Sequence, residues 1–195
     1  MDQTGDRITL FTAQREVVIE ELMRDGVCHS RERYVREKYG AEVYPVYREC
    51  YGWYVKAASE YVPRPDGEPY PYWAFQHSYN LELSGNVFLM ELSVPRTACV
   101  FFDVDDWRKV LCLEYMDPDP VKERAYKEEL SLRGLRSEDV MLGGFYPEQK
   151  REILLSWNAL FHHHERIVNG DMDGVLELQA GLWEIRKEWV RKIYR

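Results

Sequence analysis

Apolar and polar positions along the chain change period several times, and each change marks an element. Ile8-Thr-Leu-Phe-Thr-Ala13 is rich in β-branched and aromatic residues and reads as a first strand. Thr12 is then placed to cap a helix whose apolar positions Val18, Ile19, Leu22 and Met23 recur three and four apart, and Gly26 stands where that helix stops. A shorter helical stretch runs from Ser30 to Gly40, with the cations Arg31, Arg33, Arg36 and Lys38 diluted by Glu32 and Glu37. The strongest helical period lies in residues 46–62, where Tyr47, Cys50, Tyr51, Tyr54, Val55, Ala58, Tyr61 and Val62 share one face. The proline-rich run from Pro63 to Pro71 is a loop.

From Tyr72 the period becomes two, predicting strands over Tyr72–His77, Val87–Val94 and Ala98–Phe102. Asp103 followed by Asp105 and Asp106, with Arg108 and Lys109 later, suits the cap and dipole of a helix. Asp117-Pro-Asp-Pro120 breaks that helix, further helices follow over 121–132 and 147–165, and Asn169 to Gly174 is a turn before a last strand, Val175–Ile185. The expectation is one α+β domain over residues 1–195. Its sheet is mixed but mainly antiparallel, with five or six strands and helices packed on it.

Composition narrows the function classes. With 26 basic against 34 acidic residues the chain carries a net charge of −8, so binding to duplex nucleic acid is not expected. No run reaches the roughly 18 apolar residues of a membrane span, and Met1 to Arg7 has no apolar h-region after it, so a cytoplasmic protein without membrane attachment is expected. The four cysteines include no C-x-x-C pair and read as reduced, mostly buried thiols.

Several constellations fail as sites. Asn169-x-Asp171-x-Asp173-Gly174 opens like a calcium loop, but its twelfth position is Ala180 where a bidentate Glu is required. His162, His163 and His164 are consecutive, about 100° apart around a helix, and cannot converge on one ion. Asp103, Asp105 and Asp106 are accounted for by helix capping, so no metal is expected. The phosphate-loop, dinucleotide-fold and nucleophile-elbow motifs are absent. The tyrosines from Tyr44 to Tyr72, with Trp73, either stack a ring-bearing ligand or form one face of a core.

Four segments together resemble a bacterial family catalogued as domain of unknown function 3841. They are Leu10-Phe-Thr-Ala-Gln14, Val94-Pro95 with Phe101-Phe-Asp-Val-Asp-Asp-Trp107, Ser156-Trp157, and Gln179-Ala-Gly-Leu-Trp183-Glu184. The resemblance spans nearly the whole chain and implies its fold more than an activity. A more distant, fold-level similarity is to ADP-ribosyltransferases, whose first strand resembles Leu10 to Gln14 and whose second NAD-contacting strand resembles Tyr72-Trp73-Ala74. Thr12 stands where that family has a ribose-binding His. The resemblance implies an NAD-type nucleotide held by Gln14 and Gln179 with Tyr72 and Trp73 stacking, and Glu184 as the late carboxylate assisting transfer. The competing expectation is a protein-interaction module that is no enzyme. In an unbroken last strand Gln179, Gly181 and Trp183 share one face and Glu184 takes the other, which puts Gln179 in the pocket and Glu184 outside it.

Overall fold

A computed structural model of the chain describes residues 6–67 and 69–195. One sheet of six strands organises it, in the order β5-β6-β3-β1-β4-β8 with every neighbouring pair antiparallel. The strands are β1 (Arg7–Arg15), β3 (Tyr72–Phe75), β4 (Val87–Pro95), β5 (Val100–Asp103), β6 (Leu178–Leu182) and β8 (Val190–Tyr194). A two-stranded ribbon pairs β2 (Val27–Cys28) with β7 (Ile185–Arg186). The fold is α+β, as the alternating and helical periods of the sequence imply.

Thr12 lies inside β1 and caps nothing. Residues Arg7 to Arg15 each face a partner on β4, and that ladder outweighs a local cap; helix α1 (Glu16–Asp25) starts only after it and ends at Gly26, whose φ of 79° needs a residue without a Cβ. The two helical stretches predicted before the proline loop are joined as α2 (Glu32–Ala58) and divided at Gly40, with φ 71° and ψ 170°. The second stretch loosens into turns over 59–62 ahead of Pro63.

Asp103 caps α3 (Val104–Leu111) as the sequence implies, its Oδ1 accepting the Asp105 N–H at 2.8 Å. The helix α4 (Pro120–Leu132) is followed by α5 (Ser137–Leu142), which the sequence reading passed over. The stretch predicted as one helix over 147–165 is α6 (Pro147–Ser156), a 3-10 turn over Trp157–Phe161, and α7 (His164–Val168). The tighter turn stacks residues three apart, turning Trp157 and Leu160 into the core together while Trp157 Nε1 donates to the Glu114 carbonyl at 2.7 Å.

The last strand is shorter than the sequence implies. At Trp183 the chain leaves the sheet: the indole enters the helical layer, its Nε1 donating to the Val62 carbonyl at 2.8 Å, and Ile185 and Arg186 pair with β2. The chain then returns as β8, whose Arg191 and Lys192 lie on an edge strand where charge discourages further pairing.

Two cores lie on opposite faces of the sheet. One joins Ile8, Leu10, Tyr72, Ala74, Met90, Leu92, Leu178, Ala180 and Leu182 to Leu22 of α1 and Ile167 of α7. The other gathers α2, α3, α4, α5 and α6 over Val100, Phe102 and Trp73 of β5 and β3. No residue of β1, β4 or β8 belongs to the second core. Among the described residues the helical layer therefore covers half of that face and does not extend over the β1-β4-β8 half. Among the described residues no helix is long and apolar enough to cross a membrane.

Candidate functional site

Side chains alternate across a strand, so the two cores assign each sequence-predicted site residue to a face. Gln14 follows Ile8, Leu10 and Thr12 in parity, and Tyr72 follows Ala74; both belong to the face of the first core. Trp73 and Gln179 belong to the other face. Gln14, Tyr72, Trp73 and Gln179 thus do not line one pocket.

The four residues are also differently occupied. Gln14 Nε2 donates to Thr12 Oγ1 at 2.8 Å, and Thr12 Oγ1 donates to the Trp73 carbonyl at 2.8 Å. This relay ties β1 to β3 where their backbone ladder is reduced to the single registered pair Phe11 and Phe75. Tyr72 is buried beside Cys28, whose thiol burial pushes up to about 11. Trp73 sits in an aromatic cluster, 5.0 Å from Tyr54 and 4.9 Å from Trp107 between ring centres, with Nε1 donating to the Tyr51 hydroxyl at 2.5 Å.

Glu184 lies outside the sheet, beside the β2/β7 ribbon. Its Oε1 accepts from Arg186 Nε at 2.5 Å and its Oε2 is 3.2 Å from His29 Nε2.

Gln179 is different in kind. It is 3% exposed, its side-chain amide makes no hydrogen bond among the described residues, and its polar atoms are not sealed from solvent. It sits in a row that crosses the sheet through registered neighbours: Phe102, Gln179, Phe75, Phe11, Glu91 and Lys192. Phe102 is fully buried, Phe75 and Phe11 are half-buried, and Lys192 is exposed. The row thus runs from beneath the helical layer out to the β1-β4-β8 half, and Gln179 lies near the step between them. Gly181, two residues on, faces Tyr54: a Cβ there would lie 2.0 Å from the Tyr54 hydroxyl. That hydroxyl is buried without a partner, and burial holds the phenol far above its ordinary pKa.

A carboxylate that the sequence reading missed stands two residues before Gln179. Glu177 accepts from the Tyr79 hydroxyl and, at 2.8 Å, from Asn80 Nδ2. These two hydrogen bonds hold its carboxyl below the usual range, so it is ionised at neutral pH. Its backbone is fixed as well, because Asp103 Oδ2 accepts the N–H groups of Leu176 and Glu177 at 2.8 and 3.1 Å. Strand period carries no signal for it, because Glu177 lies in the bend before β6 and its partners Tyr79 and Asn80 come from a distant turn.

The Gln179 amide and two half-buried rings lie near the step in the sheet face, and an ionised carboxylate stands two residues before Gln179. No curated protein and no solved structure matches the chain. Residues 9–191 match the family described as Domain of unknown function (DUF3841), and the chain belongs to that family.

Proposed function

We propose that the chain binds an NAD-type nucleotide at the step in the sheet face, with the nicotinamide end at Gln179, in an ADP-ribosyltransferase-like arrangement. The observation that carries this reading is the Gln179 amide, nearly buried and unpaired between Phe75 and Phe102. A primary amide donates and accepts at once, which matches the carboxamide of nicotinamide by two hydrogen bonds. The amide is not sealed from solvent, so a ligand gains the net worth of the hydrogen bonds it makes there, about 0.5–1.5 kcal/mol each. Phe11 and Phe75 supply rings for stacking, worth about 1–3 kcal/mol per base in nucleic-acid sites. Transfer from such a nucleotide builds positive charge at the ribose carbon, and a fixed carboxylate stabilises it. Glu177, two residues before Gln179, is ionised and anchored by the neutral donors Tyr79 and Asn80, whereas Glu184 is paired with Arg186 and His29 beside the β2/β7 ribbon.

The test is a thermal-unfolding screen with NAD, nicotinamide and ATP. NAD at about a hundred times its dissociation constant is expected to stabilise the fold by about 2.7 kcal/mol. Gln179→Ala is expected to lose that shift while remaining folded, and Glu184→Gln to keep it. A wild-type protein whose midpoint no nucleotide moves would end this reading and leave the β1-β4-β8 half of the face to a protein partner.

A further inference from the structure

Three of the four cysteines, Cys28, Cys50 and Cys99, are buried, and Cys112 is exposed. Cys50 and Cys112 meet at one turn. Helix α3 ends at Leu111, and the chain reverses over Val110–Leu113, closed by the Leu113 N–H donating to the Val110 carbonyl at 2.9 Å. Cys112 is the third residue of that turn. The same carbonyl accepts from the Cys50 thiol of α2 at 3.2 Å, so the Cys50 sulfur lies against the bond that closes the turn carrying Cys112. Cys28 and Cys99 donate instead to the carbonyls of Ile185 and Pro95, elsewhere in the fold.

The backbone of the turn is a second observation. Leu113 has φ 59° and is the only non-glycine residue with positive φ among the described residues, a conformation that crowds the Cβ of an L residue. Such strain persists only where the surroundings fix it. Val110 and Leu113 are both buried in the core beneath the helical layer, so both ends of the turn are anchored and the exposed Cys112 between them is held beside Cys50. Each thiol is also within electrostatic reach of its surroundings. Burial pushes the Cys50 thiol up to about 12, with Glu49 and Cys112 adding to the shift, and the Tyr47 phenol is raised by burial first, then by Tyr39 and by both thiols. Cys50 therefore stays protonated and shielded, and a dissolved oxidant meets Cys112 first.

We propose that Cys50 and Cys112 form a reversible disulfide, with Cys112 as the thiol that a peroxide oxidises and Cys50 as the thiol that resolves it. Hydrogen peroxide gives one oxygen to the Cys112 sulfur: its O–O bond breaks, an S–O bond forms, and a sulfenic acid and one water result. The Cys50 sulfur then attacks the Cys112 sulfur. The S–S bond forms, the S–O bond breaks, and the hydroxide leaves as water with the Cys50 proton. Peroxide is thereby reduced to water while two thiols become one disulfide, and a dithiol reductant reverses the step by exchange. The bridge ties α2 to the end of α3 and closes residues 50–112, with β3, β4 and β5 among them, into a ring. Neither cysteine belongs to the six-stranded sheet, so the bridge stands apart from the Gln179 reading.

The test is hydrogen peroxide treatment of the folded full-length protein, alkylation of the remaining thiols, and tryptic digestion without reduction. The four cysteines fall in four separate tryptic peptides, Cys50 in Glu49–Lys56 and Cys112 in Val110–Lys122. The expected product is these two peptides joined, from a chain that runs as a single chain on non-reducing electrophoresis, and the two are expected to separate after dithiothreitol. Cys112→Ser, at an exposed position, is expected to keep the circular dichroism of the wild type, to yield no joined peptides and to leave Cys50 a free thiol. In Cys50→Ala the sulfenic acid lacks its resolving thiol, and Cys112 is expected to go on to the sulfinic acid. A wild type in which peroxide leaves Cys112 a thiol, or carries it to the sulfinic acid without joined peptides, overturns the proposal. So does a bridge found only between two chains, or only after unfolding in urea.

Discussion

Tyr54 packs its hydroxyl directly against Gly181 of the sheet. The phenol is fully buried, its hydroxyl has no partner, and the glycine exists there because nothing larger fits beneath it. Gly181→Ala is expected to destabilise by about 1–3 kcal/mol through overpacking. Tyr54→Phe removes a polar group whose burial is uncompensated, and is expected to be neutral or to stabilise by about 1 kcal/mol. The two changes are coupled, since losing the hydroxyl relieves the 2.0 Å approach but leaves the ring carbon 2.9 Å from the new methyl. Urea unfolding of both single variants and the double variant checks this, and additive effects within about 0.3 kcal/mol would contradict it. At this scale the sequence was legible in part. Period two correctly separated Gln179, Gly181 and Trp183 from Ala180 and Leu182. It could not tell that Gln14 faces away from Gln179, because that depends on how β1 registers against β3, two strands separated by most of α1, β2 and α2. Nor did it single out Glu177, whose two partners come from the turn at Tyr79 and Asn80.

Asp103 couples two elements with one carboxylate. Oδ1 caps α3, and Oδ2 fixes the backbone of Leu176 and Glu177 as the chain enters β6. Asp103→Ala is expected to lose the cap, worth about 0.5–2 kcal/mol, and to leave two further N–H groups without their acceptor. The loss should therefore exceed that of Asp119→Ala, which removes only the cap of α4 at Val121. Paired denaturant titrations decide it, and equal losses would mean that the Oδ2 contacts contribute nothing. Hydrogen exchange should in addition loosen at Leu176 and Glu177 in the Asp103 variant alone. The cap was readable from Asp103-Val-Asp-Asp; the second role was not, because its donors lie more than seventy positions on. Element boundaries failed for the same reason wherever a distant partner decided them. Thr12 joined a strand because β4 pairs with it, and Trp183 left one because the turn after α2 offers its indole the Val62 carbonyl.

At the scale of the whole molecule, one contribution to acid stability arises where α7 meets β5. His164 is 5% exposed, and its Nδ1 accepts the Phe101 N–H at 3.1 Å, so that nitrogen carries no proton in the fold. Burial lowers its pKa below the ordinary 6.5, opposed only by Glu165. His163 shifts the same way, through burial first and then its neighbours His162 and Arg166. A histidine with a lowered folded-state pKa takes up its proton more readily when unfolded. Between that pKa and 6.5 the unfolded chain binds more protons, so stability is complete above about 6.5 and is lost as the pH falls through 6.5 toward the folded value. Asp106 acts in the opposite sense, since burial raises its carboxyl and protonation relieves that cost. The histidine contribution is isolated by comparing the wild type with His164→Asn, whose side-chain oxygen can still accept the Phe101 N–H without titrating. Urea midpoints measured from pH 8 down to pH 5 should fall for the wild type, and fall less for the variant. Identical slopes in the two proteins would show that His164 is accommodated as readily charged as neutral, and that the β5–α7 contact tolerates a buried cation.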